Sequence, residues 1–138
     1  MTKDKYQLQD QIGFVLRKAH QRHVSIFASH ISDLTPPQFA TLEMLQEVGT
    51  TSQSQLGQLV AMDAATIKGV IDRLKARGLV FVERDNADRR RVSVHITPQG
   101  REAVAQLVSQ AGRITAETLA PLSGREAETL LKLLKRIS

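Results

Sequence analysis

The chain has 138 residues, 41% of them hydrophobic and only 4% aromatic, with a formal net charge of +5 and a sequence pI of about 10.0. That length suits one compact domain, or one small module with helical extensions, around an aliphatic core of Leu, Ile, Val and Ala. The absence of cysteine excludes disulfides, zinc–thiolate sites and thiol redox sensing.

The opening run MTKDKYQLQD is polar and lacks the apolar centre of a signal peptide. No apolar run approaches the roughly 18 residues of a membrane span, so a cytoplasmic location without membrane contact is expected. From Tyr6 to Ser32, apolar residues recur at helical spacing (Leu8, Ile12, Val15, Leu16, Ala19, Ile26, Phe27, Ile31), which predicts one long helix. LTPPQF reads as the next helix start. Thr35 is a good N-cap, Pro36 suits the first helical position, and Gln38 completes a capping box. Phe39, Leu42, Leu45 and Val48 form its expected buried stripe, and Gly49 its stop. A short third helix, about Gln53 to Val60, is capped by Ser52, with Leu56 and Leu59 pointing inward. Asp63 caps a fourth, Ala64 to Arg77, whose apolar face is Ile67, Val70, Ile71 and Leu74. A short helix joined to a longer one by a tight turn is helix-turn-helix spacing.

LVFVER and RVSVHIT are β-branched and alternating, and they flank the polar tip DNADRR. They predict a β-hairpin with a long loop, a wing placed directly after the helix-turn-helix. Thr97, Pro98 and Gln99 open a fifth helix with the stripe Val104, Leu107, Val108, Ala111 and Ile114. A turn near Leu119–Gly124 leads to a last helix carrying Leu130, Leu131, Leu134 and Ile137.

The positive charge is concentrated. Lys68, Arg73, Lys75, Arg77, Arg84, Arg89, Arg90 and Arg91 are opposed over that stretch only by Asp72, Glu83, Asp85 and Asp88. Such a concentration implies a polyanionic partner, most often nucleic acid.

The block TIKGVIDRLKARGLVFVERDNADRRRVSVHITPQG, Thr66 to Gly100, resembles the multiple-antibiotic-resistance regulator (MarR) family. The resemblance rests on DRL at Asp72–Leu74, RGLV at Arg77–Val80, DRR at Asp88–Arg90 and the Ile96-Thr97-x-x-Gly100 ending. TPPQF at Thr35–Phe39 is similar to the start of that family's second helix. Position 86 is Asn where family members often carry Pro, which loosens the loop. The resemblance implies a mainly α (α+β) fold of four helices, a strand–wing–strand hairpin and two further helices. It implies a winged helix-turn-helix over 34–99 and a helical dimerisation region over 1–33 and 100–138. It further implies a homodimeric repressor of nearby genes, released by a small aromatic or phenolic anionic ligand.

Several residues follow as candidates for double-stranded DNA. Small residues Ala64 and Ala65 would let the fourth helix approach base edges closely. Thr66 and Lys68 are expected on base edges, and Arg73, Ser52 and Gln53 on phosphates. Arg84, Arg89, Arg90 and Arg91 belong to the wing, where an Arg gains from the potential of a narrow minor groove. The resemblance assigns Asp88 to pairing with a neighbouring Arg, for which Arg90 is the candidate. A dimer reads an inverted-repeat operator with half-sites roughly 10 base pairs apart.

Histidines stand at 20, 23, 30 and 95. They titrate at the surface or pack at a dimer seam, or line a cleft for an aromatic acid, or bind metal. The His20/His23 spacing is usable for metal, but no nearby carboxylate on the first helix completes a site, so no metal or cofactor is expected. The resemblance places effectors between the first, second and fifth helices. The candidates there are Phe14, Arg17, His23, Phe27, His30, Phe39 and Arg113. The alternative function is an architectural DNA-binding protein without an effector. An enzyme is not expected, since no nucleophile–base set and no Gly-rich phosphate loop stands out.

Overall fold

The computed structural model describes residues 5–138. The first four residues of the polar opening run lie outside them. A 3₁₀ turn at Leu8–Asp10 precedes α1 (Ile12–His30), α2 (Pro36–Val48), β1 (Thr51–Ser52), α3 (Gln53–Leu59) and α4 (Ala64–Ala76). The strands β2 (Val80–Arg84) and β3 (Val92–Ile96) follow, then α5 (Pro98–Leu119) and α6 (Gly124–Arg136). The single helix expected over Tyr6–Ser32 is therefore shorter, because Gln11 is extended at ψ 136 and separates the 3₁₀ turn from α1.

The described chain divides into two compact units. One comprises the residues up to His30 with Gln110–Ser138; the other is Ile31–Ser109. In the second unit the sheet is antiparallel in the order β1-β3-β2. Val80 pairs with Ile96, Val82 with Val94 and Arg84 with Val92. That register puts Val80, Val94 and Ile96 on the buried face. Across the other face Phe81 stacks on His95, ring centroids 4.4 Å apart.

Leu42 and Leu45 of α2, Leu56 of α3, and Ile67, Ile71 and Leu74 of α4 are almost wholly buried with Val94. Truncating one such residue to Ala costs about 2–5 kcal/mol. Thr41 is buried among them, and its hydroxyl donates to Pro37 O at 2.8 Å, so this buried polar group has a partner. Two residues expected inside point outward: Val48 is 48% and Leu59 41% exposed. Both stand in a last turn, where the helix face has already rotated away from this core.

Gly57 is where α3 meets α4. A Cβ there would lie 3.1 Å from both Ile67 Cγ2 and Met62 O, so the absence of a side chain sets how near the helices come.

In the helical unit, the last turn of α5 is tied to α1. Arg22 donates from Nη1 to Thr118 O at 2.6 Å and from Nη2 to Glu117 O at 3.0 Å. A cation on these end-of-helix carbonyls satisfies them and complements the helix dipole. His30 Nε2 lies 2.7 Å from Glu117 Oε1. Ser123 and Glu126 form a capping box that starts α6.

Candidate nucleic-acid interface

The turn between α3 and α4 is short and held by backbone hydrogen bonds. Val60 N–H donates to Leu56 O at 3.0 Å and Met62 N–H to Gly57 O at 2.8 Å, with Ala61 left-handed at φ 58. Asp63 then caps α4, accepting from Thr66 N–H at 2.8 Å. The Thr66 backbone and hydroxyl hold the Asp63 carboxyl below its usual range. The cap thus takes the backbone N–H of Thr66, a residue expected on base edges. Ser52 caps α3, accepting from Gln55 N–H at 3.1 Å.

The outer face of α4 is a low ridge. Ala64, Ala65, Thr66, Lys68, Asp72 and Arg73 are exposed, and a Cβ at Gly69 would meet nothing nearer than Arg73 Nη1 at 3.9 Å. Lys68 Nζ lies 2.9 Å from Asp72 Oδ2. A groove runs along each side. One, of about 530 Å³, is lined by Ser52, Gln53, Gln58 and Ala64 facing Arg90 and Arg91 of the wing. The other, of about 550 Å³, is lined by Thr35 and Gln38 of the α2 start and by Thr66, Gly69 and Arg73 of α4. Ser52, Gln53, Ala64, Arg90 and Arg91 are thus brought together on one side, and Ala65, Thr66 and Arg73 on the other. The contribution of Thr35 and Gln38 was not foreseen. Their capping box was legible, but the groove beside it exists only once α2 and α4 are packed.

The wing tip is closed by its own bonds. Asp85 N–H donates to Arg91 O and Arg91 N–H to Asp88 O, both at 3.0 Å. Ala87 N–H donates to Asp85 Oδ1 at 2.8 Å. Asp88 Oδ1 accepts from Arg90 N–H at 3.1 Å and from Arg90 Nε at 3.2 Å. Arg84, a DNA candidate by sequence, donates from Nη1 to Arg89 O at 2.7 Å and so braces the loop.

Thr97 joins the wing exit to the end of α4, its hydroxyl donating to Gly78 O at 2.7 Å and accepting from Gly100 N–H at 3.0 Å. At Gly100 a Cβ would lie 2.3 Å from Leu79 O and 2.7 Å from Ile96 Cγ1, so only glycine fits.

The effector candidates are distributed over both units. Phe14 lies beneath Lys18, whose Nζ is 5.7 Å from the ring centroid. Phe27 is buried, and Arg17 and Arg113 are exposed. His23 Nδ1 is 2.9 Å from Thr118 Oγ1, and that hydroxyl donates to Ile114 O at 2.8 Å. With the hydroxyl proton so used, His23 Nδ1 is the donor and Nε2 the bare nitrogen. Burial, and then the charge of His20, hold the His23 imidazole below its ordinary value. Phe39 is buried in the other unit. Among the described residues no group of three His, Asp or Glu could hold a metal, and no helix is long and apolar enough to cross a membrane.

A two-helix reader with a low-relief outer face, flanked by a braced arginine hairpin, defines a winged helix-turn-helix DNA-binding protein. Residues 32–91 match the MarR family. The chain is 39% identical to the HTH-type transcriptional repressor NicR of Pseudomonas putida, over 96% of this chain and 85% of that one. A probable transcriptional regulator from Pseudomonas aeruginosa superposes with a TM-score of 0.90 at 49% identity, covering 96% of this chain and 100% of that one. BpsR of Bordetella bronchiseptica, whose DNA binding is regulated by 6-hydroxynicotinic acid, gives a TM-score of 0.90 at 42% identity, with 96% of each chain covered. The chain belongs to the MarR family of transcriptional regulators.

Proposed function

We propose that this protein is a homodimeric, cytoplasmic repressor that binds an inverted-repeat operator and is released by a small aromatic anion. The carrying observation is the α4 ridge between its two grooves. A helix lying in the major groove has a phosphate strand on either side, and each groove offers cationic and polar groups to one of them. Ser52, Gln53 and Arg91 serve one strand, Arg73 with Thr35 and Gln38 the other. Lys68 faces the bases, and Arg89 at the wing tip enters the minor groove.

Dimerisation rests on the helical unit. Tyr6, Leu8, Ile12, Val15, Leu16, Leu130, Leu131, Leu133 and Ile137 are all exposed there, more apolar surface than a small monomer leaves in water. The ligand class follows from the kinship with BpsR, and His23 and Arg17 are the polar groups assigned to it. The winged helix-turn-helix is taken as 34–99, with 1–33 and 100–138 forming the dimerisation region.

The test is selection from a random duplex library, a footprint on the selected DNA, and titration with 6-hydroxynicotinic acid. One protected inverted repeat, released by the acid, is the expected result. Uniform protection of long DNA would replace this reading with an architectural one. Binding that ignores aromatic acids would remove the effector claim alone.

A further inference from the structure

On the outer face of α4 two side chains of opposite charge form one unit. Lys68 Nζ and Asp72 Oδ2 are 2.9 Å apart, one helical turn from each other, and both are exposed. As a stabilising contact an exposed pair of this kind contributes little. Its position is the informative part. The rest of this face is nearly bare: Ala64 and Ala65 have only a methyl, and Gly69 has no side chain, a Cβ there meeting only the end of Arg73. Thr66 is engaged with its cap Asp63. Arg73 lies in the α2-side groove. What the ridge offers to a base edge is therefore a donor beside an acceptor.

A carboxylate on a surface that approaches phosphates is repelled, so Asp72 weakens binding to DNA in general. That cost is offset where a base supplies a donor. The ammonium of Lys68 has three hydrogens and gives one to Asp72, leaving two. Asp72 Oδ1 has free lone pairs. In the major groove guanine shows two acceptors, N7 and O6, and its partner cytosine shows the N4 amino donor beside them. In an A·T pair the N6 donor stands between the acceptors N7 and O4, so no two acceptors lie side by side.

We propose that Lys68 and Asp72 act as one reading unit for a G·C pair in each half-site, Lys68 on guanine O6 and N7 and Asp72 on cytosine N4. This rests on the DNA-binding reading above and deepens it. Asp72 is the specificity-determining member. It denies Lys68 a place on a phosphate and penalises any base pair whose amino donor does not stand beside two adjacent acceptors.

The test compares duplexes selected from a random library by this protein and by its Asp72→Asn and Lys68→Ala variants. Each variant's thermal midpoint is measured alongside. The wild type should select a G·C pair at one position of each half-site. Both variants should lose that preference, about tenfold or more, while keeping the other positions. Asp72→Asn should also bind non-operator DNA more tightly, and its log K against log[salt] slope should steepen by about 0.9 as Lys68 gains a phosphate. If the wild type selects a consensus that both variants reproduce unchanged, the inference fails and the function stands. A wild type that selects no consensus overturns both. A D72N variant that weakens equally on every duplex would make Asp72 a merely structural residue and overturn the proposal.

Discussion

Asp88 Oδ1 accepts both the backbone N–H and the Nε of Arg90, at 3.1 and 3.2 Å. An acidic residue at the tip of a DNA-facing hairpin thereby organises its arginines. With Arg90 turned back on Asp88 and Arg84 bonded to Arg89 O, the Arg89 and Arg91 side chains are the ones left to project. Losing a hydrogen bond of this kind costs about 1 kcal/mol, so Asp88→Ala should weaken operator binding about fivefold to tenfold. Arg90→Lys keeps the charge but loses the Nε contact, and should move the same way. The thermal midpoint should shift by no more than about 2 °C, since the tip is exposed. Fluorescence anisotropy on the selected operator checks this. Unchanged affinity in both variants would mean that the loop keeps its shape without Asp88.

Gly100 and Gly112 predict opposite outcomes for the same substitution. At Gly100 a Cβ would collide with the Leu79 carbonyl, which belongs to the backbone where wing and α4 meet. Gly100→Ala should cost about 3 kcal/mol, at the upper end of overpacking. At Gly112, inside α5, a Cβ would meet nothing within 4 Å. Gly112→Ala should stabilise by about 0.5–1 kcal/mol through helix propensity. Urea melts of the two variants decide the matter, and a loss at both positions would show that Gly112 lies against something in the assembled protein.

His23 makes stability depend on pH. Its pKa is lowered in the folded protein by burial and by His20. The unfolded chain therefore takes up a proton more readily, and stability rises with pH. The contribution is complete above the unfolded value of about 6.5 and is lost as pH falls through the lower folded value. The Asp63 and Glu126 carboxyls are also lowered, but they act in the carboxylate range, below this window. Midpoints from pH 5 to 7.5 should climb, and His23→Gln should flatten part of that climb. An identical slope in the variant would assign the dependence elsewhere.

The legible part of the fold is the part set by near neighbours in sequence. Thr35 with Gln38, Ser52 and Asp63 each cap the helix that follows because their partners are three residues away. The Ser123–Glu126 box carries the same signal in SGRE. β1 could not be read, since two residues show no alternation and Thr51–Ser52 is a strand only because β3 offers an edge. The candidate interface followed the same division. Its arginines and its ridge were legible from charge and helical period. The second groove and the diversion of Arg84 to Arg89 O depend on packing or rotamers that periodicity does not encode, whereas the Lys68–Asp72 pair, at i and i+4 of one helix, lies within its reach.

The α6 leucines carry the last prediction. Leu130, Leu131 and Leu133 are 38%, 43% and 49% exposed, and Ile137 is 67% exposed. Burying the part of each that is still in water would contribute about 0.6–2 kcal/mol, and together they drive the helix to find a partner. Native mass spectrometry should give twice the chain mass of 15.3 kDa. Leu133→Glu places a charge in that apolar surface, and Leu130→Glu does the same one turn earlier. Either should shift the mass toward the monomer at micromolar concentration. Operator affinity should fall by far more than the loss from any single wing residue, because one subunit then holds one half-site alone. Anisotropy on a half-site duplex separates the two effects: a monomeric variant with intact α4 and wing should bind it as weakly as the wild type does. If Leu133→Glu stays dimeric and keeps its operator affinity, the α6 face is not the seam, and the exposed residues of the 3₁₀ turn and α1 become the surface to change next.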